Sequence, residues 1–154
     1  KTQGNNTPVD KIEISSETDF RRNHFKTIQT NYKSAPYYDY YIDCIHDCLF
    51  FQEKSLIEYN TFVLKNICKI LKINKEFQYT NEYIKETGSL IDYRQTLCSK
   101  QVVGKFSYIK EIDNYYQVFK DNVGFIKNLS IIDLIFNEGP NTINIINSQI
   151  IMSL

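Results

Sequence analysis

With only five glycines and three prolines among 154 residues, the chain has little material for a glycine-rich phosphate loop, and none is present. The dinucleotide fingerprint Gly-x-Gly-x-x-Gly, the nucleophile elbow Gly-x-Ser-x-Gly and the zinc-protease pattern His-Glu-x-x-His are absent too. Nothing in these residues points to a dinucleotide, and no cofactor is assigned. An excess of charge of one sign is also missing. Eighteen basic residues balance eighteen acidic ones, so no net field draws the chain toward nucleic acid or an anionic membrane. No stretch approaches the ~20 apolar residues of a membrane helix, and no charged-then-apolar leader opens the sequence. The four cysteines show no disulfide-framework spacing, and a domain of this length needs no covalent staples. A reducing cytoplasm is the plain reading, with no nucleic-acid partner and no membrane insertion.

What is present fits one globular unit. Hydrophobic residues make up 42% of a chain long enough to bury a core. Ile, Lys, Asn and Tyr are abundant throughout, so a single Lys or Asn carries little weight. Alternation in Lys11-Ile12-Glu13-Ile14 predicts a short strand. Ser16 or Thr18 is placed to cap a helix over residues 19–32, and Pro36 interrupts the chain after it. Residues 37–51 show mixed helical spacing. The clearest helix is predicted over residues 53–73, where Leu56, Val63, Ile67, Ile70 and Leu71 form one apolar stripe. Phe77-Gln78-Tyr79 reads as a further strand, and Gly88 and Gly104 mark turns. Ser130 should cap a short helix ending near Phe136. Gly139-Pro140 then stops it and starts the last helix.

The segment that most demands an explanation lies near the C-terminus. In Ile131-Ile132-Asp133-Leu134-Ile135-Phe136-Asn137-Glu138, polar residues interrupt an apolar helix. A buried carboxylate such as Asp133 needs a cation, a helix end or a ligand hydroxyl. Glu138 at a helix C-terminus opposes the dipole and so favours a specific partner. Asn128 is either a cap or a ligand contact. Tyr116 and Gln117 offer an aromatic face and an amide suited to a sugar or a base, or else the amphipathic edge of the core.

Elsewhere, His24 sits among Arg21, Arg22 and Lys26, whose charge disfavours its protonation. A neutral imidazole there could serve as acid/base, or simply bond a core carbonyl. Asp92 and Arg94, two apart, would share a strand face. Arg94 could clamp a phosphate or carboxylate, or the two could form a surface ion pair. Cys44-x-His46-x-Cys48 sets two thiols an i,i+4 step apart, but His46 points elsewhere, so no metal site is assigned.

Several blocks together resemble the WbqC-like family of proteins from bacterial O-antigen and surface-polysaccharide gene clusters. They are His24-Phe25-Lys26-Thr27-Ile28, Asn31-Tyr32, Ala35-Pro36-Tyr37-Tyr38, Asp92-Tyr93-Arg94 with Lys100, and the closing stretch from Tyr115 to Pro140. The opening Lys1-Thr2-Gln3-Gly4 is similar to the turn after the family's first strands. The resemblance implies one WbqC-like domain over residues 1–154 that lacks the family's N-terminal strand and turn. It also implies an α/β fold for the complete family, with this chain mostly helical plus a few short strands.

By the same resemblance, the complete protein is expected to act in O-antigen (lipopolysaccharide) or related glycan biosynthesis, as a possible transferase placing a group on an activated amino sugar. A nucleotide sugar or amino sugar is then the expected partner. His24 and Asp133 are the catalytic candidates. Asp92, Arg94, Tyr116, Gln117, Asn128, Asn137 and Glu138 are the ligand-binding ones. The alternative is a non-catalytic binding or scaffold protein of the same pathway.

Overall fold

The computed structural model describes residues 7–15, 19–85, 88 and 114–149. Among them the architecture is helical: α1 (Phe20–Tyr32), α2 (Tyr38–Phe50), α3 (Leu56–Ile70), α4 (Lys120–Val123), α5 (Ile131–Glu138) and α6 (Thr142–Gln149). No helix of the described residues is long and apolar enough to cross a membrane.

Local chemistry sets most of these boundaries. Asp19, rather than the predicted Ser16 or Thr18, caps α1 by accepting from the Arg22 amide at 3.2 Å. Its carboxylate satisfies one of the free N–H groups of the first turn, as a hydroxyl would. Ser55 caps α3 through the Glu58 amide. Glu53 accepts from the amides of Lys54 and Ser55 just before it, and these bonds hold its carboxyl below the usual range.

The predicted strands are corrected. Residues 9–11 form a 3-10 turn, and only Glu13 makes a bridge, antiparallel to Ser55. Ile14 donates to the Lys54 carbonyl and Leu56 to the Ile12 carbonyl. The pairing cannot lengthen because Ser55 is already committed to opening α3. Phe77-Gln78-Tyr79 is not a strand either; among the described residues no neighbour pairs with it, and Tyr79 instead hydrogen-bonds Thr61 through its hydroxyl at 2.6 Å. Asp92, Arg94, Lys100, Gly104 and Cys98 lie outside the described residues.

α2 is the hub, packed by α1, α3 and α5. Ala35, Tyr38, Ile45 and Phe136 form the buried core, with Phe136 fully enclosed. The rings of Tyr32 and Tyr38 stand 5.3 and 5.4 Å from it. The Tyr37 amide, at the start of α2, donates to the Phe136 carbonyl at 2.9 Å. An orphan donor of one helix is thus satisfied by the last turn of another, which fixes α5 against α2.

Three described helices end at a positive φ, α4 at Gly124 with φ 76° among them. α5 stops at Gly139, with φ 52° and ψ −123°. A β-carbon there would lie 2.5 Å from the Tyr37 ring, so both the backbone and the packing require glycine. α3 closes differently. Ile73 donates to the Cys68 carbonyl at 2.8 Å and Lys72 to the Lys69 carbonyl at 3.1 Å. That is a Schellman turn, whose left-handed position usually holds glycine. Here Lys72 occupies it with φ 56°, a conformation that costs an L-residue about 1–2 kcal/mol.

Candidate functional site

The polar residues of α5 turn inward. Asp133 is 3% exposed, and its Oδ1 accepts from the Tyr115 hydroxyl at 2.6 Å. Tyr32, at the end of α1, lies near the same carboxylate. Burial, then the nearby Asp133 carboxylate, push the Tyr32 phenol up to about 12. Burial, and next the bond to Asp133, lift Tyr115 well above the ordinary phenol range, with the Gln117 contact opposing. Both phenols therefore stay protonated at neutral pH, and Tyr115 donates to Asp133. Asp133 is also the third residue of α5, where the positive end of the helix dipole favours a carboxylate. The Tyr115 hydroxyl and a helix end supply what the sequence says a buried aspartate must have.

The surrounding polar groups knit the same region. Asn137 donates to the Asp133 carbonyl at 2.8 Å, and Thr142 to the Leu134 carbonyl at 3.1 Å. Asn137 Oδ1 is buried and has no donor among the described residues, and an acceptor left so costs about 1–3 kcal/mol. Gln117, 4% exposed, donates to the Ile126 carbonyl and accepts from the Ile126 amide, at 2.8 and 3.0 Å. Its amide imitates a strand partner and closes the loop over residues 117–126. Glu138 accepts from the Tyr116 amide at 3.3 Å and from the Asn141 side chain at 3.0 Å. Those are the specific partners its place at the helix C-terminus calls for.

The structure thus gathers Asp133, Asn137, Glu138, Gln117 and the Tyr116 backbone around α5. The Tyr116 ring itself is half-exposed, and Asn128 is an exposed turn residue with φ 58°. His24 stands apart. It is exposed on α1, with its ring edge-on to Phe20 at 5.6 Å. It precedes Tyr32 by eight residues, or about 12 Å of helix axis. His46 lies stacked on Phe50 at 4.4 Å and edge-on to Phe25 at 4.9 Å. Cys44, Cys48 and Cys68 are free thiols; burial first, then nearby Cys44 and Asp47, push Cys48 up to about 11. Among the described residues no group of three or more metal-ligating side chains converges.

Sequence reasoning asked for a partner to Asp133 and missed which one. Tyr115 is 18 residues away and Tyr32 about a hundred, in a chain with 12 tyrosines, so no spacing singles them out. Two cavities open elsewhere, and neither is lined by Asp133. One of about 410 Å³ follows the polar face of α1 past Lys26 and Thr27. The other, about 340 Å³, lies at the end of α3.

No curated protein and no solved structure matches this chain. The profile of the WbqC-like protein family matches residues 1–109, a span that contains His24, the Ala35-Pro36-Tyr37-Tyr38 block, Asp92 and Arg94 and ends before Tyr115. That match covers well over half of the sequence, and the chain belongs to the WbqC-like protein family.

Proposed function

We propose that the complete protein is a cytoplasmic enzyme of bacterial O-antigen or related surface-glycan biosynthesis, transferring a group onto an activated amino sugar. The complete fold is then α/β, and residues 1–154 contribute its largely helical part as one domain. The observation that carries this reading is His24. It lies in the family-matched span, is exposed, and has no hydrogen-bond partner for its imidazole among the described residues, while Phe20 beside it offers an apolar face. Such a ring is free to move a proton to or from a bound hydroxyl or amine. Asp133 then acts as a positioning residue, holding Tyr115 in place. Arg94 with Asp92 is assigned the anionic group of the substrate.

A second reading, a binding or scaffold protein of the same pathway, is favoured by one feature. Asp133, Gln117 and Glu138 already spend their polar atoms on internal bonds. Turnover separates the two readings. The purified protein is incubated with nucleotide-linked amino sugars and acyl donors, and products are read by mass spectrometry. The enzyme reading predicts that His24→Gln abolishes product while leaving the melting temperature unchanged. Product formation by His24→Gln at the native rate would overturn it in favour of the scaffold.

A further inference from the structure

The cavity at the end of α3 is lined by Lys65, Lys69, Lys72 and Lys75, with Cys68 and Phe77 forming part of its wall. Lys65, Lys69 and Lys72 follow one another at i+4 and i+3, which places them on one face of the helix and its closing turn. The chain then reverses through Lys72 and returns Lys75 to the same cavity. Four lysines therefore line one space, and no side chain among them makes an ion pair or hydrogen bond with another described residue.

The usual structural reasons do not account for them. Lysines near a helix C-terminus often cap its free carbonyls. Here the Schellman turn already satisfies the carbonyls of Cys68 and Lys69 with backbone amides, and Leu71 bonds the Ile67 carbonyl. Like charges one turn apart repel, and Lys72 holds a backbone conformation suited to glycine. Local stability alone would replace at least Lys72. Backbone strain kept at a cation that faces a cavity is the pattern of a binding position.

We infer that this cavity binds the diphosphate group of a small molecule, held by Lys65, Lys69, Lys72 and Lys75. Ammonium groups are point-charge donors suited to phosphate oxygens. A diphosphate also matches several converging positive charges better than a monocarboxylate does. A volume of about 340 Å³ sits at the lower end of small-ligand pockets, roughly 300–1,000 Å³, which favours a small molecule over a nucleic-acid strand. The site stands whether or not the protein is an enzyme.

Calorimetric titration of the chain with pyrophosphate, adenosine diphosphate, orthophosphate and a short single-stranded RNA tests this. Pyrophosphate and adenosine diphosphate should both bind, more tightly than orthophosphate and more weakly as salt is raised. Lys72→Gly and the double variant Lys65→Gln/Lys69→Gln should each lose about tenfold or more in affinity. Both variants remove strain or repulsion, so both should fold at least as well as the parent. Three results would each overturn the assignment: no binding of either diphosphate, affinity unchanged in both variants, or RNA binding tighter than adenosine diphosphate through the same lysines.

Discussion

α5 and α3 both end on a residue with positive φ, and they fill that position with opposite kinds of residue. At the end of α5, Gly139 lies under the Tyr37 ring, where even a methyl group would clash. The polar side chains around it face inward, with Asp133 on the Tyr115 phenol, Asn137 on a carbonyl and Thr142 on another. At the end of α3, Lys72 takes the glycine position and joins three further lysines around an open cavity. The first region uses its unusual residues to close the core. The second keeps a locally unfavourable residue whose exposed side chain adds nothing to the core. Polarity inside a helix is therefore a weak sign of a ligand site when partners are at hand, whereas unpartnered charge at a strained turn is a stronger one.

The largest effect expected from breaking this contrast is at Gly139. Gly139→Ala combines a forbidden backbone with overlap on Tyr37 and should cost about 3–5 kcal/mol in a urea melt. A wild-type midpoint would show that the α5–α2 junction is not as tight as described. Next is Tyr115→Phe, which removes a donor from a buried carboxylate and should cost about 1.5–3 kcal/mol. A double-mutant cycle with Asp133→Asn should recover much of that loss as a coupling energy.

The same pair makes stability sensitive to alkali. Both phenols are raised above the ordinary 10.0 in the fold, Tyr32 to about 12. The unfolded chain therefore releases these protons first as pH rises. Their contribution is complete below pH 10 and is lost as pH climbs from there through about 12 for Tyr32, and higher still for Tyr115. Melts across that window should show a steeper decline for the parent than for Tyr32→Phe, and equal slopes would argue that Tyr32 is not buried near Asp133. The smallest effect sharpens the other side of the contrast. Lys72→Gly should raise stability by about 1 kcal/mol, because glycine accepts the positive φ without strain.

Much of the helical frame is legible in local residues. The cap at Ser130, the break at Pro36 and the stop at Gly139 act within a turn of where they stand, so sequence spacing locates them, whereas the helix expected from residue 53 starts only after the Ser55 cap. The predicted strands fail because a strand needs a neighbour, and residues 11–14 find only Ser55 while residues 77–79 find none among those described. The demand of Asp133 for donors is readable from its apolar flanks, but the identity of Tyr115 as donor and the nearness of Tyr32 depend on α1 and residue 115 meeting at α5. The lysine spacing is visible too. In a lysine-rich chain it looks like a solvated face until the turn at Lys72 brings Lys75 round. Asp92 and Arg94 lie outside the described residues, so the fold adds nothing to their pairing.

The contrast itself is best tested by measuring the melting temperature and pyrophosphate affinity of Tyr115→Phe and Lys72→Gly side by side. Tyr115→Phe should melt lower and, while folded, bind pyrophosphate as the parent does. Lys72→Gly should melt at or above the parent and bind about tenfold more weakly or worse. A Lys72→Gly protein with full affinity, or a folded Tyr115→Phe protein that has lost it, would contradict the division between a core-closing α5 and a ligand-facing end of α3.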